Sequence, residues 1–430
     1  MDIILRGGQI IDPFQGIDSV ADILISGGRV AGYGLNMSRA GAEVIDVTGK
    51  AVVPGLIDMH AHLREPGFEY KEDIRTGTRA AARGGFTAVA CMPNTQPVLD
   101  SGLLIAALRD KAVRTGLVRV YPIGAVTKGL RGGEMAELGG MRREGAVAFS
   151  DDGMPVLSAA LMRCVLEYAA MLGVPVIDHC EEKSLVGDVG INAGRVAVLL
   201  GLRGMPAAAE DTMVARDCLL AGMTGGHVHI AHLSTAGAVE IVRQAKARGI
   251  RVTAEACPHH FTLTEEAVND YDTNAKVNPP LRTAADVAAV RAGLRDGTID
   301  VIATDHAPHA ADEKEAEFSL APAGISGLET AVPLVLTELV ETGVLSMAEA
   351  IYKMTAAPAR ILGLAGGSLR VGAAADITVI DRAAAETVDP AAFASKGRNT
   401  PFAGRAVRGL PFLTMVGGRI VMRDRQLIAE

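Results

Sequence analysis

The middle of the chain alternates between two kinds of segment, with a repeat of about thirty to forty residues. Short apolar runs such as FTAVACMPN and IRVTAEACPHH alternate with alanine-rich amphipathic stretches such as LLIAALRDKAVRTG and AGAVEIVRQAKARG. This alternation is typical of βα units around a parallel sheet. About 310 residues are available, which predicts an α/β chain with a (β/α)8 TIM-type barrel; an open doubly wound sheet is the alternative. No GxGxxG or GxxxxGK[ST] motif supports a nucleotide-binding fold.

The two ends of the chain resemble each other and differ from the middle. DILISGGRVAGYG near the start and FLTMVGGRIVMRD near the end both have the pattern strand, Gly-Gly turn, strand, which predicts two tight hairpins. After the helical TAAPARILGL, the segment GSLRVGAAADITVID returns to an alternating strand pattern. We therefore predict a smaller, discontinuous β-sandwich domain of residues 1–53 and 366–430, and a barrel domain of residues 54–365.

Composition narrows the possible partners to small molecules. The 42 basic and 50 acidic side chains are interspersed, so no basic stripe is available for nucleic acid and no polybasic segment for a membrane. The start lacks a basic region followed by an apolar one, and no run reaches the ~18 apolar residues of a membrane span. We therefore expect a cytoplasmic protein. The five cysteines are odd in number and lack a CxxC pair, which predicts reduced, mostly buried thiols.

Histidines and an aspartate fall where a barrel carries its chemistry, at the carboxyl ends of predicted strands. His60 and His62 end VVPGLIDMHAH, His179 follows VPVID, His232 follows HVHIA, and Asp305 follows DVIAT. Since residues i and i+2 of a strand face the same side, His60 and His62 can both point to the barrel centre. Each histidine alone is equally consistent with a hydrogen-bonded core residue. Together they suit zinc or similar ions, and the set is large enough to predict two metals with a bridging hydroxide.

Two adjacent metal ions also need an anionic bridging ligand. The predicted strand GAVAFSDDGMPV ends in Asp151 and Asp152, and no lysine lies at or near its end. SDDG equally fits a simple Asp-Gly turn. We favour Asp152 as the bridging carboxylate because the site otherwise lacks one.

Several motifs together resemble one known family. GLIDMHAHLREPG, GGFTAVACMPNTQP, FSDDG, DHCEE, AHLST, EACPHH, KVNPPLR, TDHAPH and GISGLET are similar to the dihydroorotases of the amidohydrolase superfamily. The similarity is to the long bacterial type, which has aspartate in place of a bridging carbamylated lysine, and it spans almost the whole chain. HxH is shared by the superfamily, whereas HLREPG with MPNT and NPPLR is far more specific.

The resemblance implies a role for each candidate residue. Six would hold two divalent ions, with zinc expected: His60 and His62 the more buried ion, His179 and His232 the more exposed one, Asp152 as the bridge, and Asp305 as a further ligand. Four would bind the substrate: Arg64, Asn94 and His309 its carboxylate, and Asn278 its pyrimidine ring. The remaining candidates would be structural: His227, His229, His259, His260 and His306.

The implied activity is the reversible cyclisation of N-carbamoyl-L-aspartate to (S)-dihydroorotate and water, in de novo pyrimidine (UMP) biosynthesis. A metal-bridging hydroxide would attack the ring amide, and Asp305 would carry the proton to the leaving nitrogen. The guanidinium of Arg64 matches a substrate carboxylate in geometry. The alternative for Arg64 is an ion pair with Glu65 or Asp73.

Two other functions remain open from the sequence. A hydantoinase or allantoinase would share the barrel and HxH, but these enzymes resemble the chain less at HLREPG and normally carry the modified lysine. A non-catalytic subunit that supports aspartate carbamoyltransferase would usually have lost metal ligands, and here the set is complete. The resemblance also implies a homodimer and a possible complex with that transferase. The charged segment Pro308 to Phe318 is either a mobile lid or a solvated loop.

Overall fold

The computed structural model describes residues 2–187 and 190–428, whose strands form two sheets. In chain order the strands are β1 (Ile3–Asp12), β2 (Ile17–Ser26), β3 (Arg29–Gly34), β4 (Glu43–Asp46), β5 (Ala51–Pro54), β6 (Leu56–Ala61), β7 (Phe86–Cys91), β8 (Arg119–Gly124), β9 (Ala148–Ser150), β10 (Val176–Asp178), β11 (Val228–Ile230), β12 (Val252–Ala256), β13 (Val301–Ile302), β14 (Ile377–Thr387), β15 (Ala406–Val416), β16 (Arg419–Arg423) and β17 (Gln426–Leu427).

Helices occupy most of the connections between the barrel strands. They are α1 (Ile74–Arg83), α2 (Gly102–Thr115), α3 (Leu138–Arg143), α4 (Ala159–Leu172), α5 (Arg195–Leu199), α6 (Ala207–Thr224), α7 (Ala236–Ala247), α8 (Pro258–Thr262), α9 (Ala284–Asp296), α10 (Ala311–Lys314), α11 (Ala331–Val335), α12 (Met347–Met354) and α13 (Ala356–Leu362). A π-helical turn, Leu336–Val340, continues α11.

Local sequence signals explain where these helices begin and end. The Asp73 carboxylate accepts a hydrogen bond from the backbone N–H of Thr76 at 2.7 Å, which caps the start of α1. Gly173, with φ of 69°, ends α4 in the left-handed conformation that glycine adopts without strain. The amphipathic stretches therefore carry their own start and stop signals.

Strands β6 to β13 pair in parallel in chain order to form an eight-stranded sheet. Its two edges meet through a bridge between Ala61 and His306, beside which the His62 N–H donates to the His306 carbonyl at 2.8 Å. The sheet is thus a nearly closed barrel, and the predicted (β/α)8 architecture is confirmed. All six residues of β6 and of β7 are buried, as expected of strands covered on both faces.

The other nine strands form a mostly antiparallel sheet from both ends of the chain. Its order is β17-β16-β15-β14-β5-β1-β2-β3, with β4 beside β1. It has its own apolar core, which includes Leu5, Ile23, Val379 and Leu413. This confirms the prediction of a smaller β domain built from both chain ends. The limits 1–53 and 366–430 remain predictions, and the strands of this sheet lie within 3–54 and 377–427.

Both Gly-Gly hairpins form as the sequence predicts. Gly27 and Gly28 connect β2 to β3, Gly417 and Gly418 connect β15 to β16, and all four have positive φ. A Cβ on Gly28 would lie 2.7 Å from the Gly417 carbonyl oxygen. Glycine is therefore required both for the turns and for their close packing.

The cysteines agree with the expectation of buried thiols. Cys164 is exposed, the other four are buried, and none of the five forms a disulfide. Within the described part of the chain, no helix is long and apolar enough to cross a membrane.

Candidate active site

The predicted site residues lie at one end of the barrel, at the carboxyl ends of its strands or in the connections that follow them. His60 is in β6, and the others follow a strand: His62 and Arg64 after β6, Asn94 after β7, Asp152 after β9, His179 after β10, His232 after β11, Asn278 after β12, and Asp305 and His309 after β13. The side chains of ten separate sequence positions are thereby brought to one mouth, as a parallel barrel requires.

Two histidines and two aspartates form the deeper part of the cluster. His60 Nε2 lies 3.4 Å from Asp152 Oδ1 and 3.4 Å from Asp305 Oδ1. His62 Nε2 lies 3.1 Å from Asp305 Oδ1 and 3.4 Å from Asp152 Oδ2. All four side chains are buried. Two imidazole nitrogens therefore face two carboxylates around one point.

A second pair of histidines lies on the other side of Asp152. His179 Nδ1 and His232 Nε2 are 3.0 Å apart and lie 3.9 and 3.7 Å from Asp152 Oδ1. Asp152 is thus between the two histidine pairs. This position is the one that a carboxylate shared by two ions would need.

Buried polar atoms in this cluster lack protein partners. His60 Nε2 and Asp152 Oδ1 are inaccessible to solvent and have no hydrogen-bond partner among residues 2–187 and 190–428. An unpaired buried polar atom is costly, so such an atom in a folded protein calls for a bound ion or water. Imidazole and carboxylate are the donors that zinc and related ions accept. The donor set of His60, His62, Asp152, His232 and Asp305 therefore fits divalent metal ions.

The second ring nitrogen of three histidines is bonded away from the cluster. His60 Nδ1 lies 2.5 Å from Glu255 Oε1 on β12, and His62 Nδ1 lies 2.9 Å from Asn94 Oδ1. His179 Nε2 lies 2.8 Å from Glu181 Oε2. Each acceptor takes the ring N–H and so leaves the opposite nitrogen with a lone pair for a metal ion.

The histidines and aspartates of the cluster shift one another's pKa values. Burial raises the pKa of the Asp305 carboxyl, but His60 and His62 beside it lower it by more, so the pKa lies well below its usual range. The same balance holds the pKa of Asp152 well below its usual range. Burial lowers the pKa of His60, but the nearby carboxylates of Glu255, Asp152 and Asp305 raise it by more. The pKa of His60 therefore lies well above its usual value. A divalent cation bound here would displace histidine protons.

Arg64 lines the cavity beside His309. Arg64 has φ of 58°, its Nε donates to the Pro308 carbonyl at 3.2 Å, and its Nη2 lies 3.3 Å from His309 Nε2. Burial lowers the pKa of the Arg64 guanidinium, although Asp305 and Asp152 raise it. A half-buried guanidinium in a cavity, with no carboxylate at hydrogen-bonding distance among the described residues, is suited to bind an anion.

The alternative ion pairs of Arg64 are not formed in the described structure. Glu65 pairs instead with Lys111, and Asp73 pairs with Lys396 Nζ at 2.6 Å. The guanidinium therefore remains directed into the cavity.

Nine of the ten predicted residues line one cavity of about 260 Å³, and the tenth, His60, is fully buried beside it. The cavity is also lined by Lys183 and Gly324, which the sequence reasoning missed, as it missed Glu181 and Glu255. Gly324 has φ of 151°, and a Cβ there would lie 2.9 Å from His309 Nε2. Its place in GISGLET was the only available signal.

Four of the five histidines predicted to be structural bond to groups outside the cluster. The ring of the fifth, His259, packs 4.3 Å from that of His260, and its Nε2 has no hydrogen-bond partner among the described residues. His227 and His229 contact Thr253, and His229 also lies 3.2 Å from Glu255 Oε2. His260 contacts the Pro279 carbonyl. The N–H of Gly327 lies 3.2 Å from His306 Nδ1.

Comparisons with known proteins first give the class. A model of the amidohydrolase family matches residues 221–422, and one described as dihydro-orotase-like matches residues 49–238. The L-hydantoinase (dihydropyrimidinase) from Arthrobacter aurescens has a TM-score of 0.90 at 27% identity, with 100% of this chain and 98% of that chain covered. The D-hydantoinase (dihydropyrimidinase) from Thermus sp. has a TM-score of 0.86 at 26% identity, covering 100% and 97%. The chain is a hydrolase that acts on a cyclic amide.

More similar relatives give the family. A dihydroorotase of Pelotomaculum thermopropionicum is 61% identical over 99% of both chains. A dihydroorotase of Syntrophotalea carbinolica is 56% identical over 98% of this chain and 99% of its own. The chain belongs to the dihydroorotase family.

Proposed function

We propose that this chain interconverts N-carbamoyl-L-aspartate and (S)-dihydroorotate plus water, the ring-closing step of de novo pyrimidine (UMP) biosynthesis. One observation carries the proposal: the metal-type donors and Arg64 line the same small cavity. A substrate held there by its carboxylate would present its amide to the donor cluster. The high identity to proteins named dihydroorotase supports the same substrate.

We infer that the cluster holds two divalent ions, with zinc the expected metal. His60, His62 and Asp305 would hold one ion, His179 and His232 the other, and Asp152 both. When bound, the ions supply an activated water molecule and a Lewis acid for the carbonyl oxygen. The unpartnered His60 Nε2 and Asp152 Oδ1 support this assignment.

Asp305 is the proposed proton carrier. Its carboxylate lines the cavity, and the adjacent imidazoles hold its pKa below the usual range, so it is in the ionised form that a proton acceptor requires. In ring opening it takes a proton from the attacking water and gives it to the ring nitrogen as the carbon–nitrogen bond breaks. In ring closure the same carboxylate moves the proton in the opposite direction.

Arg64, Asn94 and His309 are the proposed carboxylate-binding group. Asn94 Oδ1 accepts from His62, which leaves the Asn94 amide N–H groups as donors. Burial, Arg64 and Lys71 lower the pKa of His309 to about 2, so His309 is neutral at working pH. The positive charge that meets the substrate carboxylate therefore belongs to Arg64.

The test compares substrates on the zinc-loaded chain. We expect turnover of dihydroorotate, and of N-carbamoyl-L-aspartate in reverse, well above that of hydantoin or allantoin. Asp305→Asn is the matched control, with turnover lower by ~10²-fold or more, the scale of a lost general acid–base. Faster turnover of hydantoin or allantoin than of dihydroorotate would assign the chain to that other activity. A zinc-loaded chain inactive on all four compounds would refute the catalytic proposal.

The assembly and location predicted from the sequence are also proposals. We propose a homodimer in the cytoplasm, able to associate with aspartate carbamoyltransferase. Light scattering of the chain alone and mixed with that transferase measures both associations. The mass of one chain in the first sample would contradict the homodimer, and a mixture that shows only the masses of the two separate proteins would contradict the complex.

A further inference from the structure

Glu181 is a buried carboxylate that contacts three side chains of the site. Glu181 is fully buried and lies two positions after His179, in the connection that follows β10. Glu181 Oε2 lies 2.8 Å from His179 Nε2 and 2.7 Å from Asn278 Nδ2. Glu181 Oε1 lies 2.8 Å from Lys183 Nζ. One carboxylate thus joins a proposed metal ligand to a proposed substrate contact.

The contact with Glu181 determines which way the Asn278 amide faces. An ionised carboxylate only accepts hydrogen bonds, so the amide nitrogen must face Glu181 and the amide oxygen must face away. Glu181 has the Lys183 ammonium 2.8 Å from Oε1, and its Oε2 lies within 2.8 Å of the His179 and Asn278 nitrogens, so the carboxylate is surrounded by donors. Asn278 lines the cavity, and its Oδ1 is buried without a hydrogen-bond partner among the described residues.

The same contact determines the tautomer of His179. His179 Nε2 lies 2.8 Å from Glu181 Oε2 and 3.2 Å from Asn278 Nδ2. The carboxylate is the closer partner and can only accept, so we assign the ring proton to Nε2 and the lone pair to Nδ1, which faces His232 and Asp152. Carboxylates that hold metal-ligand histidines in this way raise ligand basicity, and their loss costs ~10–100-fold in metal affinity or activity.

We propose that Glu181 is a positioning residue that serves the metal centre and the substrate site together. It presents His179 Nδ1 to the exposed metal position, and it makes Asn278 Oδ1 an acceptor for an N–H group of the ring substrate. The ligand class that Asn278 selects is therefore a cyclic amide or ureide with a ring N–H at this wall. This inference rests on the proposed function for its substrate and on the donor cluster for its metal.

The experiment measures zinc affinity and kinetics on separate samples. Zinc affinity comes from competition with a chelator in the absence of substrate, and cobalt-loaded protein gives the visible spectrum of the metal centre. KM and kcat for dihydroorotate are measured for Glu181→Ala, Glu181→Gln, Asn278→Ala and the double variant Glu181→Ala/Asn278→Ala. Glu182→Gln is the matched control, since Glu182 caps a surface turn through Ser184.

The contacts of Glu181 with His179 and with Asn278 predict different effects. Glu181→Ala should lower zinc affinity by ~10–100-fold, change the cobalt spectrum and raise KM, while Asn278→Ala should raise KM and leave zinc affinity unchanged. The double variant should have a KM no higher than that of Glu181→Ala within about twofold, because both changes remove one interaction. Glu181→Gln, which keeps one acceptor oxygen, should lie between Glu181→Ala and the unchanged chain.

Two outcomes would overturn the proposal. One is a Glu181→Ala protein with unchanged zinc affinity and cobalt spectrum; the other is a double variant whose KM increase is the product of the single increases. If Glu181→Ala does not fold, Glu181→Gln is judged by the same zinc and cobalt measurements. An unchanged chain that is inactive on dihydroorotate contradicts the proposed function, whereas the substrate-free zinc measurement still tests the contact between Glu181 and His179.

Discussion

In three histidines of the site, one ring nitrogen bonds to a group outside the donor cluster and the other ring nitrogen faces the cluster. Glu255 holds His60, Asn94 holds His62 and Glu181 holds His179. The acceptors differ in charge, since two are carboxylates and one is an amide. His60 and His179 are therefore expected to be the more basic ligands of the cluster.

At the scale of single residues, the first prediction concerns Arg64. Arg64→Met removes the half-buried guanidinium that lines the cavity, and a hydrogen bond to a charged group contributes about 1.5–3 kcal/mol. We expect kcat/KM for dihydroorotate to fall by roughly 10- to 100-fold with zinc content unchanged. Arg75→Met, a substitution at an exposed position of α1, is the control. Kinetics of Arg64→Met equal to those of the control would remove Arg64 from the substrate site.

His227 predicts how stability depends on pH. Burial, with nearby His229 and Arg251, lowers the pKa of His227 to about 4, against 6.5 for an ordinary histidine. Between these values the unfolded chain binds a proton that the folded chain does not, so stability falls as pH falls through this window. His227→Gln removes that proton uptake and retains a donor for Thr253.

Between pH 7 and pH 5, the free energy of unfolding of the unchanged chain should fall by about 2 kcal/mol more than that of the His227→Gln variant. Melting temperatures at pH 8, 7, 6 and 5 measure it. The two proteins should agree in slope above pH 7. Parallel curves down to pH 5 would show that His227 does not carry this dependence.

The metal-type donors could be predicted from the sequence because each one ends an apolar run, and strand ends meet in a barrel. Glu255 and Glu181 could not, because each acts through another side chain and shows no pattern of its own. For Arg64, Glu65 and Asp73 were nearby alternative partners in the sequence. Only the three-dimensional arrangement shows that Lys111 and Lys396 take those carboxylates.

At the scale of elements, one arginine joins several connections around the mouth. Arg282 Nη1 donates to Asn192 Oδ1 at 2.9 Å and to the Met205 carbonyl at 2.8 Å. Its Nε donates to Ser234 Oγ at 3.0 Å, and its Nη2 to Glu210 Oε2 at 3.4 Å. Arg282, the arginine of the NPPLR motif, therefore links the loops near His232 and Asn278.

Arg282→Met should destabilise the chain by about 3–5 kcal/mol, since it leaves the buried Glu210 carboxylate without its cation. The melting temperature should fall by several degrees, with no such fall for Arg248→Met, which changes an exposed side chain at the end of α7. A melting temperature of Arg282→Met within one degree of the control would contradict this role.

The segment Pro308 to Phe318 is more ordered than a solvated loop. It contains the short helix α10, and Glu313 in that helix pairs with Lys71 Nζ at 2.8 Å and accepts from the Tyr70 hydroxyl at 3.2 Å. The sequence alone did not distinguish a mobile lid from a solvated loop. The contacts with Tyr70 and Lys71 were not visible in the sequence because about 240 positions separate the partners.

Element types were predictable where the sequence carries a turn signal or an apolar period. The Gly-Gly hairpins at both chain ends are the clearest cases. The shortness of β13, at two residues, and the closure of the barrel through Ala61 and His306 were not predictable. Both depend on how the whole sheet curves, which no local pattern records.

At the scale of the whole molecule, the chain ends form a sheet that the barrel interrupts. β14 pairs with β5 and β5 with β1, so residues more than 320 positions apart are hydrogen-bonded. β5 runs directly into β6 through Gly55, where a Cβ would lie 2.2 Å from Thr87 Oγ1. The strand that carries His60 is therefore continuous with the β domain, and this domain helps to fix the depth of the metal-type donors.

The central claim is that Asp152, an aspartate, completes a two-metal site for the dihydroorotase reaction. An aspartate bridge needs only deprotonation, whereas a carbamylated lysine must first react with carbon dioxide. The most direct measurement is a titration of metal-free chain with zinc in carbon-dioxide-depleted buffer, following zinc bound per chain and turnover of dihydroorotate. We predict that activity rises until about two zinc ions are bound per chain, equally well with and without added bicarbonate. Full activity in the metal-free chain, or activity that appears only with bicarbonate, would contradict the account.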